Sequence, residues 1–240
     1  MSRISNHFSK RKIVKPLIAL YFFVALLDVI VEYFRDAFYI VMFKPLLMPL
    51  LISVYYFSSI KPNRFFIAAL VSIWMSNLFF ITNSIDYTII AAIFFLIYRI
   101  LIIYFTHTVI PFPGKEKIAV ASIPFLILYF TLGIFIYKEM NHIYFHYVLL
   151  SIFMIYFGGY CLAVYLIKEK KTNLYLLMST LLFTLIHILI IFKIYFSKTA
   201  FIQSLVMTLF VIAQYQLLLF VLLEEKKRKY PKVNNPQANN

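Results

Sequence analysis

Residues 89–97 read Ile89-Ile90-Ala91-Ala92-Ile93-Phe94-Phe95-Leu96-Ile97, and this stretch decides between the two architectures open to so apolar a chain. A strand of a membrane barrel faces lipid on one side and an aqueous lumen on the other. Its polarity therefore alternates at every second position over about ten residues. Here both parities are apolar. A helix surrounded by lipid and by other helices carries that pattern without penalty, because its backbone polar groups are satisfied within the segment.

Working outward, a helix rises about 1.5 Å per residue, so roughly 20 apolar residues cross a hydrocarbon core of about 30 Å. That ruler predicts eight spans, at 16–34, 43–60, 64–82, 86–105, 117–137, 141–167, 172–196 and 200–223. The breaks between them carry turn chemistry: Lys61-Pro62-Asn63-Arg64, Thr82-Asn83-Ser84, Pro111-Phe112-Pro113-Gly114-Lys115 and Lys168-Glu169-Lys170-Lys171. Connections this short imply antiparallel neighbours in one all-α bundle.

Composition agrees. Hydrophobic residues make up 63% of the 240 and charged residues 13%, with a mean hydropathy of +0.89. Soluble domains run nearer half apolar and a quarter charged. With 27 Phe and 19 Tyr, this chain has more apolar surface than a soluble fold of its size can bury, and lipid covers it instead. The formal net charge of +14 raises the question of a nucleic-acid partner, but the cations lie between and beyond the apolar runs, where membrane topology places them. No nucleic-acid partner is expected; the bilayer is. The only cysteine, Cys161, lies in an apolar run and reads as a small core residue.

The domain reading is a basic cytoplasmic N-terminus at 1–15, the eight-helix domain at 16–223 and a basic tail at 224–240, expected to be disordered beyond Pro231. The first apolar run carries Asp28 and Glu32 and no small-residue cleavage site, so it reads as a retained span and not a cleaved signal. If eight spans are threaded with both termini on one side, seventeen Lys and Arg fall on that side and five on the other, with Arg99 inside the fourth span. The positive-inside rule then places both ends in the cytoplasm of a cell (inner) membrane.

Ionisable and amide side chains within spans are costly, so they face the bundle interior and can mark function. Asp28 and Glu32, four apart, share one face of the first helix, and Arg35 could pair with Glu32. As a pair they could divide into acid and base, or simply end the span with a salt bridge. Arg99 could bind a lipid phosphate, pair with Asp28 or Glu32, or snorkel to the interface. His187, Gln214 and Asn77 lie deep in the seventh, eighth and third spans; together with Arg99 they would line a polar pocket, or they could serve singly as interhelical hydrogen bonds. His142 and His146 have metal-like spacing, but no third ligand accompanies them, and neither a metal nor a cofactor is expected. Phosphate loops, nucleophile elbows and Cys/His clusters are absent from the sequence.

Three stretches carry a resemblance: Phe43-Lys44-Pro45-Leu46-Leu47-Met48-Pro49-Leu50-Leu51, Phe95-Leu96-Ile97-Tyr98-Arg99-Ile100-Leu101 and Ile212-Ala213-Gln214-Tyr215-Gln216-Leu217. They resemble, respectively, the Lys-Pro start of the second helix, the aromatic-polar fourth helix and the Ala-Gln-Tyr last helix of the YhhN-type lysoplasmalogenase-like family of eight-helix membrane proteins. The resemblance implies hydrolysis of the vinyl-ether bond of a lysophospholipid, releasing a fatty aldehyde. That family is associated with aspartates in the third and seventh helices, whose matching positions here are Asn77 and Ile186 or His187. Arg99 stands where its fourth helix has His. The expectation is an altered active site in which His187 is the acid–base group and Asn77 and Arg99 position the substrate. Asp28 and Glu32 are the alternative carboxylates, and Lys44, Tyr98 and Gln214 are substrate contacts. The alternative is a catalytically lapsed member that binds a lipid or a membrane partner. A small transporter would show inverted repeats or broken helices, and no convincing repeat is evident.

Overall fold

The computed structural model describes residues 2–82, 84–137, 144–195 and 199–229, the side chains of 2–12, 85, 194, 195 and 229 excepted. The described residues form eight helices: α1 Ser2–Phe34, α2 Ala37–Ser58, α3 Arg64–Phe79, α4 Ile85–Val109, α5 Lys115–Ile136, α6 Tyr144–Ile167, α7 Lys171–Tyr195 and α8 Ala200–Lys229. Seven of them are long and apolar enough to cross a membrane. The chain is a multi-pass, all-helical membrane bundle.

α3 is the exception in length. At 16 residues it reaches about 24 Å, short of a full hydrocarbon core, and it stops three residues before the expected end at 82. It nevertheless runs back along its neighbours. Phe65, at its start, meets Tyr104 near the end of α4, and Ser76, near its end, donates to the Ala91 carbonyl near the start of α4.

α2 begins six residues earlier than hydropathy indicates, because Asp36 caps it. The Asp36 carboxylate accepts from the amides of Phe38 and Tyr39 at 3.1 and 3.4 Å, filling donors that a helix start leaves open. Arg35, just before the cap, takes a left-handed φ of 56° and turns the chain out of α1. Inside α2, Pro49 has no N–H to offer the Pro45 carbonyl four residues back. The Trp74 indole of α3 donates to that carbonyl instead, at 2.9 Å, so a proline that would leave an unpaired acceptor in lipid becomes an α2–α3 contact.

Helices adjacent in sequence pack as antiparallel pairs, α1 on α2, α3 on α4, α5 on α6 and α7 on α8. α8 returns to α1 and α6 meets both α4 and α7, which closes a ring with α5 lying outside it on α6. α5 accordingly turns Val120, Ile127, Phe130 and Phe135 outward to lipid. It is seated by two glycines of α6: a Cβ added at Gly159 would lie 1.8 Å from the Ser122 hydroxyl and 2.8 Å from the Ser122 Cα, and one at Gly158 would lie 2.7 Å from the Phe125 ring.

The last helix outruns the expected span end at 223. α8 continues to Lys229, and its last turns are tied down at the end of the bundle that carries the α2–α3 turn. Glu225 accepts from the Tyr55 hydroxyl at 2.6 Å and from the Ser59 hydroxyl at 2.7 Å, while the Asn63 amide donates to Tyr55 at 2.8 Å. Arg228 donates to the Thr108 carbonyl of α4. Residues beyond Lys229, Pro231 included, lie outside the described residues. Hydrogen bonds to a charged acceptor contribute about 1.5–3 kcal/mol. Glu225→Ala is therefore expected to destabilise the bundle by about 2 kcal/mol in detergent unfolding, and Glu224→Ala, whose partner is Lys227 one turn along the same helix, by far less.

Candidate functional site

The deep polar residues do not gather at one point. They form two groups at different depths, and Asn77 belongs to neither.

The deeper group is built around Arg99. α4 carries Phe95, Tyr98 and Arg99 across one turn, so their side chains fan into the ring from a single helix face. The Arg99 guanidinium carbon lies 4.2 Å from the Phe183 ring centroid of α7, 4.9 Å from Phe95 and 5.4 Å from Tyr98. Three aromatic faces around one cation form a cation–π box. Arg99 is 1% exposed, so it does not snorkel. It forms no ion pair with Asp28 or Glu32, contrary to the pairing weighed from sequence; the two salt bridges among the described residues are Lys44–Glu32 and Lys227–Glu224. The physical reason is depth, since both carboxylates belong to the group nearer the α1–α2 turn.

The Arg99 Nε and Nη2 groups are buried without a partner, as are the Tyr98 hydroxyl and both polar atoms of the Gln214 amide. Tyr98 is close to Gln214 and to Arg99, yet no hydrogen bond between them reaches good geometry. The backbone beside Gln214 is tied to α7, because Ser179 donates to the Ala213 carbonyl at 2.8 Å. Cys161 of α6 is also near Arg99; it is fully buried, as expected of a small core residue, and accepts from Thr180 at 3.3 Å.

His187 stands one turn beyond Phe183 on α7, within electrostatic reach of Arg99. Its Nδ1 lies 3.3 Å from the Tyr129 hydroxyl of α5, and its ring leans on Tyr129 and Tyr147. Tyr147 in turn donates to the Tyr129 carbonyl at 2.6 Å. His187 is thus set in a tyrosine wall at the edge of the Arg99 box.

The second group lies toward the α1–α2 and α7–α8 turns. Lys44 and Glu32 form a buried ion pair at 2.5 Å, 4% and 6% exposed in their side chains. Glu32 therefore pairs with Lys44, not with Arg35 as its spacing on α1 suggested. Lys44, expected as a substrate contact at the Lys-Pro start of the second helix, is engaged inside the protein. Asp28 is fully buried and neither carboxylate oxygen has a partner, so it sits deeper than a salt bridge ending a span would. Lys193 of α7 donates to the Gln203 side chain of α8 at 2.6 Å and lies within electrostatic reach of Glu32 and Lys44.

Asn77 is buried on α3 with its Nδ2 unpartnered, and α3 packs on α2 and α4, which separates it from the α7–α8 side of the ring. His142 lies outside the described residues. His146 is described, and its Nδ1 is buried without a partner. Among the described residues no group of three or more His, Cys, Asp or Glu is placed to hold a metal.

On the outside of the ring, α1 and α8 leave an open groove of about 390 Å³ walled by Val29, Tyr33, Phe34, Phe201 and Leu205. The Ser204 and Thr208 hydroxyls along it donate to carbonyls of their own helix. It offers apolar contact only, and no residue singled out from the sequence lines it.

No protein-family model, curated protein or solved structure matches this chain.

Proposed function

We propose that this protein is a membrane-embedded binder of an anionic single-chain lipid, whose phosphate or carboxylate is received by Arg99, Tyr98 and Gln214. One observation carries the reading: a guanidinium buried within the bundle has no acidic partner and two of its N–H groups open. A buried cation is tolerable when an opposite charge accompanies it, and an arginine fork matches the planar oxygens of carboxylate and phosphate. The Gln214 amide and Tyr98 hydroxyl add neutral donors to the same place. A lipid supplies such an anion from within the bilayer, without drawing a free ion across it.

This is the lapsed-member reading of the lysoplasmalogenase-like resemblance. Hydrolysis of a vinyl ether needs a proton delivered to the enol carbon and a base for the attacking water, both at one point. Asp28 and Glu32 belong to the other group, and Asn77 neither gives nor takes a proton. His187 alone stands beside Arg99. The loop charges support an orientation with both termini cytoplasmic in the cell membrane.

The test uses purified protein in micelles and a series of amphiphiles of one chain length: a lysophosphatidic acid, a lysophosphatidylcholine, a fatty acid and a neutral monoacylglycerol, with inorganic phosphate as a separate arm. A ligand present at a hundredfold over its Kd raises stability by about 2.7 kcal/mol. The anionic lipids are expected to raise Tm and the monoacylglycerol to leave it unchanged, with the response lost in Arg99→Gln. Equal response to the neutral lipid, or an unchanged response in the variant, refutes the proposal. Fatty-aldehyde release from a lysoplasmalogen, abolished by His187→Ala, would replace it with the hydrolase reading.

A further inference from the structure

The group of charges near the α1–α2 turn is built so that it can be paired in two ways. Asp28, Glu32, Lys44 and Lys193 bear two formal negative and two formal positive charges. As the structure stands, one pair is made, Glu32 with Lys44 at 2.5 Å. Asp28 is left with both oxygens unpartnered, and Lys193 is held by the neutral Gln203 amide at 2.6 Å. Asp28 and Glu32 occupy successive turns of one face of α1, about 6 Å apart. Lys44 is within electrostatic reach of Asp28 as well as bonded to Glu32, and Lys193 is within reach of Glu32. The charged groups around Asp28 are Lys44 of α2 and Glu32 of its own helix; around Lys193 they are Glu32, Lys44 and Arg35.

The geometry points to a charge exchange: Lys44 moves one turn down α1 from Glu32 to Asp28, and Lys193 leaves Gln203 to take Glu32. The second arrangement pairs all four charges, whereas the first leaves a buried carboxyl and a half-buried ammonium each without an opposite charge. Lysine is suited to the move, because its ammonium is a point charge on a flexible four-carbon stem and bonds equally well from several directions. The exchange moves the outer end of α7 from α8 toward α1, beside the open apolar groove that α1 and α8 share. It is a two-state element of the kind that couples one helix pair to another, and it stands independently of what binds at Arg99.

The experiment is a mutant cycle on the full-length protein in micelles, read as Tm. Under exchange, Glu32→Gln leaves Lys44 a second carboxylate, so its Tm drop is expected to be less than roughly half that of Lys44→Met. Asp28→Asn, which removes the unused partner, is expected to have a small effect alone. The double variant Glu32→Gln/Asp28→Asn strands Lys44 and is expected to fall by more than the sum of the two singles. If Lys44→Met gives no folded protein, the comparison of the double variant with its singles decides alone. Additive singles, or a Glu32→Gln loss as large as that of Lys44→Met, overturn the exchange and leave a fixed ion pair beside an isolated acid.

Discussion

Gly159→Leu is expected to unseat α5 and to cost the bundle about 3 kcal/mol or more, at the upper end of overpacking effects. The reason is backbone, not side-chain, proximity. A Cβ at 159 would meet the Ser122 hydroxyl at 1.8 Å and the Ser122 Cα at 2.8 Å. The hydroxyl can rotate away, but the Cα can move only with the whole helix. α5 packs chiefly on α6 and turns much of its remaining surface to lipid; its other tie is the contact of Tyr129 with His187 of α7, so opening the α6 seam removes most of its packing. Close approach of backbones through small residues is a main source of helix association in lipid, where apolar surface is no better buried in protein than in acyl chains. Ile152→Leu, on the lipid-facing side of the same helix at 56% exposure, is the control and is expected to leave Tm within error. Thermal unfolding in micelles, with cysteine cross-linking between α5 and α6, checks both. A Gly159→Leu protein as stable and as cross-linkable as the wild type would show that the seam is not tight.

This seam also shows where sequence reading runs out. Eight helices, their order and their antiparallel pairing are legible because lipid demands an unbroken apolar run for each crossing, and the breaks are written in Pro, Gly, Asn and Lys. Element ends are less legible wherever a side chain, not hydropathy, sets them. Asp36 starts α2 six residues early, and the Glu225 contacts carry α8 past the point where charge begins. The adjacent glycines 158 and 159 do not form the spaced small-residue motif of membrane dimers, so their role emerges only when Ser122 and Phe125 are seen against them.

The candidate site divides in the same manner. That Arg99, Gln214, His187 and Asp28 are buried follows from their position within spans. Which of them meet is a matter of helix rotation and ring order, and an all-round apolar helix gives no amphipathic stripe from which to read rotation. Lys44 was legible as a motif but not as the partner of Glu32, because its proximity depends on the short α1–α2 turn. Phe183 and Tyr129 were invisible among 27 Phe and 19 Tyr, although they supply the face against Arg99 and the partner of His187. Lys193 falls within the expected seventh span, but nothing in the sequence marks Gln203 of α8 as its partner.

Arg99→Met is expected to raise the stability of the ligand-free protein while abolishing its response to anionic lipid. Magnitudes decide the sign. A three-ring cation–π box is worth up to about 2 kcal/mol or somewhat more when desolvated. Against it stands the desolvation of a guanidinium, several kcal/mol even after relaxation, and about 1–3 kcal/mol for each N–H left unbonded. Nε and Nη2 are both in that condition. Replacing buried charges by well-packed apolar groups of similar volume has been neutral to stabilising by about 1–4 kcal/mol, and methionine fills the box with a flexible chain that makes favourable sulfur–aromatic contacts. A rise in Tm equivalent to about 1–3 kcal/mol is therefore expected without ligand, together with loss of the lipid-induced shift. The two effects have opposite signs, which separates a site from a scaffold. A residue retained for packing would lose stability on substitution and leave the ligand response proportionate; a residue retained for a ligand leaves the empty protein better off without it. A large fall in the stability of ligand-free Arg99→Met would assign the guanidinium to the architecture of the ring, with Phe95, Tyr98 and Phe183 as its structural partners.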